Sequence, residues 1–120
     1  MRVGIDSVEI ARIEKSILRP GFLERVYSEE ELCLFRERNM RAETIAANFA
    51  VKEAFSKAIG TGVVGFSLKD VCALRDESGA PYLKLIGSAK SLAQGLSFTV
   101  SITHTETTAT AIVIAYKDDM

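Results

Sequence analysis

The sequence predicts an α+β fold, in which a long helix packs on a small antiparallel sheet, and three observations carry that expectation. Helical periodicity fills the first half of the chain. Strand-like alternation fills most of the second half, and helices early with antiparallel strands late favour α+β over a wound parallel sheet. With 120 residues, the chain has the length of a single domain spanning 1–120.

The elements follow in order. Val3 to Val8 reads as a short strand, with Gly4 allowing close approach of another backbone. Glu9 to Arg19 reads as a helix, since Ile10, Ile13 and Ile17 recur at helical spacing until Pro20-Gly21 stops it. Ser28 followed by Glu31 is a capping box opening a helix that turns Leu32 and Phe35 inward. A longer helix runs from about Arg41 to Ile59 and stops at Gly60. Val71 to Leu74 and Tyr82 to Ile86 form a hairpin around Asp76 to Gly79. A short helix, capped by Ser88 and ended by Gly95, precedes two last strands, Phe98 to Thr103 and Ala109 to Tyr116. These pair across a turn near Glu106.

Composition narrows the function classes. Hydrophobic residues make up 48% and charged residues 26%, so the chain can build a core and is not a disordered tail. A formal charge of −1 argues against bulk nucleic-acid binding. No apolar run approaches the ~18–20 residues needed to cross a bilayer, and the charged N-terminal segment does not read as a signal peptide. Cys33 and Cys72 have no metal-ligand spacing and read as buried free thiols. The expectation is a cytoplasmic protein that binds neither nucleic acid nor membrane.

Wound at about 100° per residue, the long helix gathers Ala47, Val51, Ala54, Phe55, Ala58 and Ile59 on a core face. Glu53 and Lys57 project from the other side, among the small residues Ala46 and Gly60. Spacing alone favours an ordinary i,i+4 ion pair. Asp6, in the first strand and just before a helix, reads first as a helix cap. Asp6 and Glu53 are also the two-carboxylate set that Mg²⁺ uses beside substrate phosphates. Arg12, Lys15 and Arg19 form a stripe opposite the isoleucines, either a solvated face or a landing strip for an acidic partner. His104, the one histidine, continues the Phe98, Val100, Ile102 side of its strand. No Walker-type or GxGxxG loop is present.

Three segments together resemble the holo-acyl-carrier-protein synthase family of 4′-phosphopantetheinyl transferases. They are GIDSVEIARI at 4–13, FAVKEAFSKAIGTG at 49–62 and SITHT at 101–105. The family's Gly-x-Asp with an Arg six residues on is met by Gly4, Asp6 and Arg12. Its aromatic-x-x-Lys-Glu-Ala-x-x-Lys-Ala signature is met by Phe49, Lys52, Glu53, Ala54, Lys57 and Ala58. Many relatives carry an Arg before that aromatic; here it is Asn48, which the winding turns towards the buried side.

The resemblance implies the fold of these transferases and a transfer of 4′-phosphopantetheine from coenzyme A to a serine of an acyl carrier protein, releasing adenosine 3′,5′-bisphosphate. It implies Mg²⁺ on Asp6 and Glu53, Lys57 on the phosphates, and His104 against the nucleotide. The proton acceptor is either Glu53 or a metal-bound water. It gives the stripe Arg12, Lys15 and Arg19 a strongly acidic carrier to meet, and it implies a homotrimer with sites between subunits. Two rival readings are a non-catalytic nucleotide-binding module, which would have little reason to keep Asp6, Glu53 and Lys57, and a Mg²⁺-dependent phosphohydrolase. The second would call for more carboxylates or a histidine cluster than this chain offers.

Overall fold

A computed structural model describes residues 1–117. Its elements are β1 (Arg2–Glu9), α1 (Ile10–Ile17), α2 (Phe22–Val26), α3 (Glu29–Glu37) and α4 (Ala42–Ile59). A 3₁₀ turn (Leu68–Asp70), β2 (Val71–Arg75), β3 (Pro81–Leu85), α5 (Gly87–Leu92), β4 (Leu96–His104) and β5 (Thr108–Lys117) follow. β1, β5 and β4 form an antiparallel sheet with β5 in the centre; β2 and β3 form a separate hairpin. The predicted α+β architecture holds, with the first strand completing the sheet made by the last two.

Alternation along β5 explains the packing. Ala109, Ala111, Val113 and Ala115 are buried on one face, and their small side chains let α4 lie close to the sheet. Gly4 of β1 lies closest of all. A Cβ there would run into the Ala54 carbonyl and sit 2.6 Å from the Ala58 nitrogen, so no other residue fits without moving the helix. At its far end α4 stops on Gly60, whose φ of 80° is the left-handed conformation that glycine adopts freely.

The core face expected for α4 is buried at Ala47, Val51, Ala54, Phe55 and Ala58, with Ile59 at its margin. The enclosure is wider than expected, because Ile45, Ala46, Asn48, Ala50 and Lys52 are also fully buried. α4 is therefore a central helix whose Glu53 and Lys57 side alone stays open along its second half.

The structure corrects several expectations. α1 ends at Ile17, two residues short of the expected Arg19. β1 continues to Glu9, which takes the N-cap position of α1, so Asp6 lies mid-strand and caps nothing. α2, only five residues long, went unforeseen because it is too short to show a period. Ser88 lies inside α5; its hydroxyl donates to Asp70 Oδ2 at 2.7 Å and thereby ties α5 to the 3₁₀ turn. Cys33 is exposed, while Cys72 is buried as expected.

The capping box is present: Ser28 Oγ accepts from the Glu31 nitrogen at 3.2 Å, and Glu31 Oε1 accepts from the Ser28 nitrogen at 3.0 Å. Glu31 does more than cap. It is fully buried, 2.6 Å from the ammonium of fully buried Lys52, and its Oε2 accepts from Asn48 Nδ2 at 2.9 Å and from the Ala73 nitrogen at 3.3 Å. Lys52 also donates to the Leu68 and Val71 carbonyls. Burial pushes the Lys52 pKa down and Glu31 resists that. The network joins α3, α4 and β2, and no buried side-chain polar atom among the described residues lacks a partner.

Removing one charge strands the other. Lys52→Met should cost about 3–5 kcal/mol of stability, because the Glu31 carboxylate would remain buried and unpaired. Adding Glu31→Gln should recover at least ~1 kcal/mol of the summed single losses, a coupling that urea unfolding of the two singles and the double mutant measures directly.

Candidate active site

The strand period places Gly4, Asp6 and Val8 on one face of β1, and Gly4 sets that face against α4. Asp6 is thereby held beside the last turns of the helix. Lys57 reaches back to it, its ammonium 3.1 Å from Asp6 Oδ1 and 3.0 Å from the Ile5 carbonyl oxygen. The Asp6 side chain is 19% exposed and that of Lys57 53%, so the pair is open to solvent. Glu53 stands one turn before Lys57 on the same side.

Charge at this site is unbalanced in a useful way. Partial burial raises the Glu53 pKa above the ordinary carboxylate range, and Asp6 raises it further; Lys57 and Arg12 pull it back down. Two carboxylates that repel each other favour a cation. Mg²⁺ commonly takes one or two protein carboxylates and completes its shell with water and substrate phosphates. Asp6 and Glu53 fit that demand. No cluster of three metal-ligating side chains occurs among the described residues, so any such ion would depend on the substrate for part of its shell.

Arg12 links this site to the basic stripe. Its guanidinium carbon lies 5.6 Å from the centre of the Phe49 ring. Arg12, Lys15 and Arg19 border a cavity of about 290 Å³ whose apolar surface comes from Ile13, Phe22 and Phe49. The stripe is thus a groove with charged edges and an aromatic floor.

His104 stands elsewhere. At the end of β4, with Nδ1 3.2 Å from the Thr105 carbonyl oxygen, it lines a separate cavity with Arg38, Thr44, Arg75 and Ile102. Thr44 and Glu53 are nine residues apart on α4, which puts them on opposite faces and about 13 Å apart along the axis. The chain brings Asp6, Glu53, Lys57 and Arg12 together and leaves His104 on the other side of the helix.

The profile of the 4′-phosphopantetheinyl transferase superfamily matches residues 2–113. The chain belongs to that superfamily. It is 43% identical over 116 residues to the holo-[acyl-carrier-protein] synthase of Treponema denticola, an alignment covering 93% of this chain and 94% of that one. Among solved structures, the holo-[acyl-carrier-protein] synthase of Neisseria meningitidis superposes with a TM-score of 0.88 at 31% identity, covering 97% and 98% of the two chains. The Helicobacter pylori synthase in complex with coenzyme A gives 0.84 at 35% identity, covering 95% and 99%. The transferase resemblance and the fold expected from it are both borne out.

Sequence reasoning passed over two arginines of this transferase, Arg38 and Arg75, because neither falls in a motif. It also read Glu31 only as a capping residue and Lys52 only as a member of the signature, without joining the two. A lysine beside Val51 and one turn from the core positions Phe49 and Phe55 was the available signal for the buried ion pair, since such a charge needs a partner.

The raised Glu53 pKa gives a test by nuclear magnetic resonance titration of the metal-free protein. Asp6→Asn should move the Glu53 midpoint down, since a like charge is removed. Lys57→Met should move it up, since an opposing charge is lost. An unchanged midpoint in both variants would separate the two carboxylates electrostatically.

Proposed function

We propose that this single domain, residues 1–120, transfers 4′-phosphopantetheine from coenzyme A to a serine of an acyl carrier protein, with Asp6, Glu53 and Lys57 as its catalytic set. The observation that carries the proposal is the approach of β1 to α4, which joins an acidic pair and a lysine in one open site. Names of relatives such as the Treponema denticola and Helicobacter pylori synthases point the same way. A silent binding module would not need that set, and no group of three or more His, Cys, Asp or Glu side chains among the described residues favours a phosphohydrolase.

Asp6 and Glu53 would hold Mg²⁺, which supplies neutralising charge at the diphosphate. The remaining work falls to protein groups. Lys57, bonded to Asp6, has a flexible stem and can turn its ammonium onto the phosphate oxygens. The serine Oγ attacks the β-phosphorus, and the bond to the oxygen bridging the two phosphates breaks. Adenosine 3′,5′-bisphosphate leaves with that oxygen. The serine proton needs an acceptor, and the Glu53 carboxylate, its proton affinity raised by burial and by Asp6, is suited to take it at Oε.

The carrier protein docks, in this reading, on the groove edged by Arg12, Lys15 and Arg19, where an acidic helix would meet cations and place an apolar side chain over Phe22 and Phe49. A homotrimer with shared sites completes the assignment. Its support is the open face of the three-stranded sheet, where Val3 and Ile5 of β1 lie level with Ile114 and Ile112 of β5. Val3 is 54% exposed and Ile5 57%, a patch that a second copy would cover. The unpaired thiols and the lack, among the described residues, of any helix long and apolar enough to span a membrane support a cytoplasmic setting. Recovery of the native protein in the membrane fraction would contradict that.

Intact-mass analysis of an apo carrier protein incubated with coenzyme A, Mg²⁺ and this protein should show the gain of one phosphopantetheine. Chelation of the metal, Asp6→Ala or Glu53→Ala should each lower the rate by a hundredfold or more, on the order of what metal and base removal cost together. Lys15→Glu with Arg19→Glu should raise KM for the carrier and flatten its salt dependence. Arg12 is left out of that variant because it also acts on Glu53.

Light scattering should give three times the 13.1 kDa chain mass. Ile5→Lys should lower that mass and the activity together. A fully active monomer would remove the shared-site reading.

A further inference from the structure

Lys52 and Glu31 are a buried pair of charges that the transfer mechanism leaves unused. Both side chains are fully buried, so neither meets a substrate. An apolar pair of the same volume is often as stable as a buried ion pair or more so, which makes stability alone a weak reason for the arrangement. What distinguishes it is direction. The Lys52 ammonium donates to Glu31 Oε1 at 2.6 Å and to the Leu68 and Val71 carbonyls, and it lies 5.3 Å from the centre of the Tyr27 ring. One turn earlier, Asn48 Nδ2 donates to Glu31 Oε2 and to the Ala73 carbonyl, each at 2.9 Å. Successive turns of α4 are thus bonded to α3, to the 3₁₀ turn and to β2.

The sheet side of α4 offers no such directed hold. There Ala54 and Ala58 lie against Gly4, and the buried face of β5 presents Ala109, Ala111 and Ala115. Side chains that end at Cβ raise shallow ridges, and shallow ridges interlock poorly. Phe55 packs between Phe66 and Phe98, with ring centres 5.3 and 5.2 Å away, yet the burial of apolar surface is non-directional. Close approach and rotational register are therefore separate requirements, met by different residues.

We infer that Lys52 is a positioning residue: clamped by Glu31, it fixes the rotation of α4 and so the placement of Glu53 and Lys57 beside Asp6. The inference rests on the reading of those three residues as the catalytic set. Glu53 follows Lys52 directly, and Lys57 lies roughly 140° around the helix from it. A turn of α4 by about 10° moves a group at its side-chain radius of ~5–6 Å by about 1 Å. Displacement of that size in a reacting group costs up to about a hundredfold in rate. Asp6 belongs to β1 and does not follow the helix, so its 3.1 Å contact with Lys57 reports the register directly.

The test separates position from stability. Lys52→Met strands the Glu31 carboxylate, whereas Lys52→Met with Glu31→Gln removes both charges and recovers part of the lost stability. Transfer is followed by intact mass at a temperature where circular dichroism shows each variant folded. The double variant should lose at least about tenfold in kcat. Its KM for the carrier, set mainly by the charges of α1, should stay within about twofold of the wild type. A crystal structure of the double variant, superposed on the sheet, should show α4 turned by about 10° and the Asp6–Lys57 contact lengthened. Glu31→Asp, a methylene shorter, keeps both charges and moves the anchor, so it carries the same measurements if the double variant does not fold. A folded variant with wild-type kcat overturns the inference, and so does an unturned α4, whatever the activity. If the wild type transfers nothing to any carrier while the variant's helix is turned, the clamp stands and the transferase reading falls.

Discussion

No side chain fits between β1 and α4 at Gly4, where even a methyl group would collide with the helix backbone. Contact at that distance fixes the strand and the helix relative to each other far more tightly than two ordinary side-chain layers would. Asp6, two residues further along the same strand face, inherits that precision, and so does its 3.1 Å contact with Lys57. The neighbouring strand accommodates the same closeness with Ala109, Ala111 and Ala115, which keep the sheet near the helix along its length.

Adjacent residues of α4 then serve opposite purposes. Lys52 points into the core and is consumed by Glu31 and two carbonyls, whereas Glu53 lies on the open side of the helix under the opposed charges of Asp6, Lys57 and Arg12. The first arrangement resists any rotation of the helix, because turning α4 would pull Lys52 from Glu31 and expose or strand both charges. Rotation is also what would displace Glu53 from Asp6. A buried ion pair thus sets the angle at which the reactive face is presented. Replacing Lys52 with an apolar residue of similar size can pack well and still lose this control.

Much of this was legible in the sequence. The long helix, its glycine stop, the capping box, both late hairpins and the Gly4–Asp6–Arg12 and Glu53–Lys57 sets carry local signals of period, cap chemistry and spacing. What escaped depends on contacts distant in sequence. Glu31 looks like a capping residue and nothing more until Lys52, twenty-one positions on, arrives beside it. Asp6 looked like a helix cap because the strand's extra residues, held by pairing with β5, could not be read from β1 alone. Cys33 looked buried by its apolar neighbours Leu32 and Leu34, yet it falls on the outer face of α3. His104 was correctly placed on its strand, and its separation from Glu53 became visible only when α4 was seen to stand between them.

That separation bears on why so small a chain carries a twofold set of polar sites. A helix has two faces, and here one carries Glu53 and Lys57 while the other, through Asn48, holds Arg75 beside a small polar cavity. Asn48 fits the same logic: its neutral amide crosses from the Glu31 network to the guanidinium, so a cation is aimed at the pocket without a further charge being buried in the core. The core that fixes Glu53 on one side of α4 therefore also fixes Arg75 on the other, through one buried network of Glu31, Asn48 and Lys52.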